Sequence, residues 1–254
     1  FVLFALVAVL VCAATLPVLV THQAQPQQQA TPRLQWRLLF NVAPTAGVGA
    51  LLSGLAMGAF WGLLPVYARA SGFDTAAIGN YMSIAIVGGA ALQWPLGRLS
   101  DHHDRRIALA LVAAAAAALA AAGIALGGRV LPEMAVIFLF GGMSFAIYPI
   151  VVAHLVDHAP PEDLLAASSS VLLVYGVGSA LGPLVAGGAM SAFGTWSLFA
   201  WFAATHAVLA IYAAWRYRMV EHAPVEVPAF QPMLRTTPAA LRLLRAAVRA
   251  QREP

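Results

Sequence analysis

The sequence predicts an all-α membrane protein with seven transmembrane helices, and three observations carry the prediction. Of 254 residues, 61% are hydrophobic and 9% charged, against about 25% charged in an ordinary soluble domain. The apolar residues fall into seven long runs, 1–20, 46–68, 77–97, 107–127, 132–153, 165–189 and 195–217, each long enough to cross about 30 Å of hydrocarbon. No run carries Asp or Glu in its middle, and none alternates with period two. Lipid leaves no backbone group free to go unpaired, so runs of this kind read as helices.

All fourteen basic residues are Arg. Most sit in short connections between apolar runs, which marks them as a topology signal rather than a nucleic-acid surface, since the latter needs Arg clustered with stacking aromatics on a soluble face. One set of alternate connections holds Arg33, Arg37, Arg98, Arg105, Arg106, Arg216 and Arg218, and the other holds Arg69 and Arg129. The excess of positive charge places the first set, and with it the C-terminus, in the cytoplasm. The single Cys12 leaves no intramolecular disulfide and no Cys-based metal site.

The first run, 1–20, opens on Phe1 with no Met and no positive leader region, a poor signal peptide and a better internal helix. The expectation is a sequence that enters a longer protein partway. Residues 21–45, rich in Gln and Pro, read as a flexible cytoplasmic linker. Residues 46–217 then form a compact six-helix bundle, and 218–254 a cytoplasmic tail. In that tail Thr237 and Pro238 are an N-cap and first-turn pair, and Arg242, Arg245, Arg249 and Arg252 recur at helical spacing. The tail reads either as a helix on an anionic lipid surface or as a solvated segment without order.

The sharpest motif lies between the third and fourth runs, Gly97-Arg98-Leu99-Ser100-Asp101-His102-His103-Asp104-Arg105-Arg106. Gly97 ends a helix and allows a neighbour to approach. Asp101 suits a positive helix N-terminus, while Arg105 and Arg106 hold an anionic lipid surface or an acidic partner. Such a loop would latch two helices and release them. It resembles the signature of the major facilitator superfamily, glycine, three residues, aspartate, then a basic-glycine-basic-basic run. Gly97, Asp101, Arg105 and Arg106 match, while His102 stands at the first basic position and Asp104 replaces the internal glycine.

Further segments resemble the YcaD-like bacterial subgroup of that superfamily: Gly47 to Pro65, Phe145 to Ile150, Pro161 to Leu164 leading into Ala166 to Ser170, and Gly176 to Gly188. The resemblance covers residues 40–220. It implies two six-helix bundles rocking around a central cavity. The seven helices would then be helices 6 to 12 of twelve: residues 1–20 the last helix of the N-terminal half, 46–217 the C-terminal half. The missing N-terminal half of the same protein becomes a partner, together with the lipid bilayer of a bacterial inner membrane. The implied function is a secondary transporter moving a small solute by alternating access, with no cofactor. Proton coupling stays open, because no run holds an embedded carboxylate.

Gly54, Gly58 and Gly62 recur every four residues, as do Gly178 and Gly182. This spacing lets helix backbones pack closely in lipid, as a seam between the two halves or, more commonly, as static packing. Polar or aromatic residues inside the runs are the candidates for the substrate cavity: Trp61, Ser144, Tyr148, Ser170 and Tyr175. Gln93 and Trp94 read as gate or interface groups, and His206 as a packed histidine bonded to a carbonyl, with a proton relay as the alternative. A cavity of this composition suits a neutral or amphipathic solute. Two competing functions share the fold: a non-transporting scaffold or receptor, and a membrane-embedded metal enzyme using His154, Asp157 and His158, whose histidines stand at i and i+4. Two His and one Asp are few ligands, so no metal is expected.

Overall fold

The computed structural model describes residues 2–20, 36–126, 130–160 and 163–219. The chain divides into two units, Phe1–Arg33 and Leu34–Pro254. The first contains α1 (Val2–Val20), an apolar helix with Pro17 inside it. The second contains α2 (Trp36–Val42), α3 (Pro44–Ala70), α4 (Thr75–His102), α5 (Arg105–Leu126), α6 (Val130–His158), α7 (Leu164–Phe193) and α8 (Ser197–Met219). All elements among the described residues are helical.

Six of these helices, α3 to α8, are long and apolar enough to cross a membrane. The seventh expected span, 1–20, falls on α1, Val2–Val20, which does not count among those six; its apolar stretch runs over Phe4–Pro17. Within the expected linker, 21–45, the described residues begin at Trp36. Trp36 to Val42 form about two helical turns, and α3 begins at Pro44, where a missing N–H costs nothing in a first turn. Residues 21–35 and 220–254, with the expected tail helix, lie outside the described residues.

Two helices run further than hydropathy indicates. Gly97 does not end α4, which continues to His102, because a helix leaving lipid keeps its hydrogen bonds while its side chains turn polar. For the same reason α6 continues through His158. At the other boundary Asp74 caps α4, its Oδ1 accepting from the Ala77 N–H at 2.7 Å.

Within the second unit the helices that pack most closely are not the consecutive ones. The dominant pairs are α3 with α7, α4 with α6, and α5 with α8. Glycine permits the first two. A Cβ on Gly54 would meet the Tyr175 carbonyl, one on Gly58 the Ser179 carbonyl, and Cβ atoms on Gly178 and Gly182 the carbonyls of Leu51 and Leu55. The predicted glycines of α3 and α7 are thus two sides of one backbone-to-backbone contact inside this bundle. Gly62, beside Pro183 at 3.6 Å, has ordinary room. Gly88 of α4 against Phe138, and Gly141 of α6 against Ala85, make a second such contact.

Two buried clusters fill the bundle. One, with Leu39, Ala46, Leu109, Ile147, Val151, Leu155 and Leu209, lies where α3 starts and α6 ends. The other, toward the opposite end, is aromatic: Phe60, Phe140, Phe199 and Phe202 contact one another with ring centroids 5.2–6.4 Å apart.

Candidate functional site

Only His103 and Asp104 separate α4 from α5, and the residues around them are tied by charge. Asp104 Oδ1 accepts from the Arg106 backbone N–H at 2.8 Å and from its Nε at 3.0 Å, while Oδ2 accepts from Nη2 at 2.8 Å. It therefore caps α5 and fixes a largely buried guanidinium, two tasks a glycine there could not perform. Arg105 reaches three ways. Its Nη1 donates to Asp101 Oδ1 at 2.5 Å and to Ser100 Oγ at 3.1 Å, and its Nε donates to Asp157 Oδ2 at 2.9 Å. One guanidinium thus joins the end of α4, the start of α5 and the end of α6.

Of the predicted latch residues, Asp101 and Arg105 meet directly and Arg106 turns to Asp104. Gly97 faces a groove of about 170 Å³ lined by Gln93, Asp101 and Arg105 on one side and Ala146, Pro149 and Ala153 of α6 on the other. A Cβ there would meet nothing within 4 Å. Beside it the Arg98 guanidinium lies 4.1 Å over the Trp94 ring. Sequence reasoning missed Asp157 as an ion-pair partner because nothing in the chain order places the end of α6 beside the α4–α5 connection.

Three of the five cavity candidates lie in two ring pairs along α6. Trp61 of α3, half exposed, stacks on Phe145 of α6 at 5.8 Å, and Tyr148, one turn further on α6, packs against Tyr175 of α7 at 4.6 Å. Phe145 and Tyr148 stand at i and i+3 and share a face, so α3, α6 and α7 present one aromatic wall. The other two candidates lie inside the bundle. Ser170 is buried and donates to the Ala166 carbonyl. Ser144 is buried against His206. His206 Nδ1 lies 2.7 Å from the Phe202 carbonyl, which can only accept, so Nδ1 carries the hydrogen and Nε2 accepts from Ser144 Oγ at 3.0 Å. The packed, carbonyl-bonded histidine expected at 206 is the one found.

His154, Asp157 and His158 do not form a metal cluster. Asp157 is held by Arg105, and His158 Nδ1 donates to the His154 carbonyl. Among the described residues no three His, Cys, Asp or Glu side chains are placed to hold a metal. The helix geometry puts the acid at i+3 from His154 but turns it toward α5.

A further residue escaped the sequence reading altogether. Glu133, in the first turn of α6, is wholly buried, and its Oε1 accepts from the Tyr81 hydroxyl of α4 at 3.0 Å. It sits next to the 127–129 connection and passes for an edge charge in a hydropathy scan. The signal that finds it is a tyrosine at matching depth in the paired helix.

The family model of the Major Facilitator Superfamily matches residues 1–128 and 46–251. Among curated relatives, an uncharacterized MFS-type transporter, YcaD, of Escherichia coli O45:K1 (strain S88 / ExPEC) is 29% identical over 220 residues, covering 86% of this chain and 56% of that protein. An uncharacterized MFS-type transporter of Yersinia pestis (strain Pestoides F) is 29% identical over 179 residues, covering 70% of this chain and 46% of that protein. The chain spans about half the length of the curated relatives it matches. No solved structure matches it.

Proposed function

We propose that this chain, which belongs to the Major Facilitator Superfamily, acts as the C-terminal half of a secondary transporter that moves a small solute across a bacterial inner membrane by alternating access. In this reading α3 to α8 are helices seven to twelve, α1 is helix six, and residues 21–45 join the halves. The observation that carries the reading is the aromatic wall of Trp61, Phe145, Tyr148 and Tyr175 on one face of a multi-pass bundle. A ring-lined wall without charge suits a neutral or amphipathic solute. The other half of the protein would close the cavity from the facing side.

The charged connection at residues 97–106 fits a cytoplasmic latch that holds one state of the cycle and lets go in the other. Its acid, Asp101, pairs among the described residues with the one guanidinium of Arg105, so a neutral replacement weakens it without altering shape. The full-length transporter in proteoliposomes is expected to lose most solute uptake on Asp101→Asn while inserting normally. Unchanged uptake would sink the latch. A panel of neutral and charged solutes run by counterflow, with Trp61→Ala and Tyr175→Ala as the affinity-reducing variants, tests the wall; preference for charged solutes counts against it.

A further inference from the structure

The carboxyl of Glu133 belongs to no ion pair among the described residues; all three ion pairs found there lie at the opposite end of α6. Its Oε1 accepts from Tyr81, and its Oε2 is buried with no hydrogen-bond partner. Among the described residues the titratable groups that face it are Tyr81 from α4 and Tyr67 from α3; Arg129, four residues before it, lies outside them. Arg69 on α3 is exposed and Asp74 caps α4. At this end α5, α7 and α8 carry no acidic or basic side chain. A carboxylate buried beside two tyrosine hydroxyls, with no counter-charge among the described residues, is costly when ionised, and a proton removes the charge. Since Oε1 is the accepting oxygen, the proton belongs on Oε2.

We infer that Glu133 is an exchangeable proton-binding site at the end of the bundle opposite Arg105, with Tyr81 orienting it and Tyr67 connecting it to solvent. Tyr67 touches both the carboxyl and a cavity of about 300 Å³ that Ser71, Thr195 and Trp196 also line. On release the O–H bond at Oε2 breaks with its electron pair staying on the carboxylate, the proton passes to the Tyr67 hydroxyl oxygen, and Tyr67 gives its own hydroxyl proton to water in that cavity; uptake reverses the step. Tyr81 keeps its own proton throughout and acts as a positioning residue. The role of such a proton in driving solute movement rests on the transporter reading; the site itself does not.

The test is infrared spectroscopy of the full chain in lipid vesicles, with the pH raised stepwise and returned. A deuterium-sensitive carbonyl band of a protonated carboxylic acid is expected, bleaching reversibly as carboxylate bands rise and missing from Glu133→Gln. Tyr81→Phe should move that band to higher frequency, because the carbonyl loses its donor, and Tyr67→Phe should slow its bleaching several-fold. A band retained in Glu133→Gln, a band that never bleaches, or no band at any pH overturns the site. If Glu133→Gln does not insert, the Tyr81→Phe shift decides, and an unmoved band overturns the assignment. Absence of solute uptake by the full-length protein with the band intact would instead count against the transporter reading alone.

Discussion

At the scale of single residues, the interactions that matter are those in which removing one partner strands the other. Ser144 donates to His206 Nε2 in a fully buried setting. Ser144→Ala leaves that nitrogen without a donor and is expected to cost about 1–3 kcal/mol, seen as a lower melting temperature in detergent. Arg105 differs because its ion pairs are partly exposed and each is worth roughly 0.2–1 kcal/mol. Asp101 and Asp157 share that one guanidinium, so Arg105→Ala should absorb their effects: adding Asp157→Asn to it should lower stability no further, whereas Asp157→Asn alone should lower it slightly. A thermal-melt double-mutant cycle checks both. His206 was readable from the sequence because a lone histidine in an apolar run has few options. Glu133 was not, since what makes it unusual is the depth of its neighbours, which only the α4–α6 pairing supplies.

At the scale of elements, hydropathy located all six long helices to within a few residues at most ends. It erred at the C-terminal ends of α4 and α6, where the helices outlast their apolar runs. The glycine spacing on α3 and α7 was equally visible, but not that the two rows face each other, because spacing states how close a neighbour can come and not which neighbour it is. The contrast along α3 gives a prediction. Gly58→Ala drives a Cβ into the Ser179 backbone, which has no flexible end to yield, and should cost about 1–3 kcal/mol. Gly62→Ala meets only the Pro183 ring at 3.6 Å and should be close to neutral. Unfolding by heat in the same detergent separates them; equal effects would contradict the backbone contact.

At the scale of the whole molecule, the chain spans about half of its relatives, and one residue is informative about the rest. Gly97 borders a groove in which an added Cβ touches nothing in this bundle. Gly97→Leu should therefore change the stability of this chain by no more than about 0.5 kcal/mol, yet, on the transporter reading proposed above with a second half seated against that groove, reduce solute uptake by the full-length protein. Impaired stability of the chain itself would show that the groove is already filled. The pairing of α4 with α6 carries a mechanical consequence. The two rods are pinned near one end by Tyr81 on Glu133 and near the other by the Arg105 bridge. Each also contains a proline, Pro95 and Pro149, about two turns before the bridged end, where a rung of the hydrogen-bond ladder is missing. Cutting the bridge thus unties the arm of α4 beyond Pro95 from α6, whose own end stays seated in the cluster of Val151 and Leu155, while the shafts behind stay bolted together.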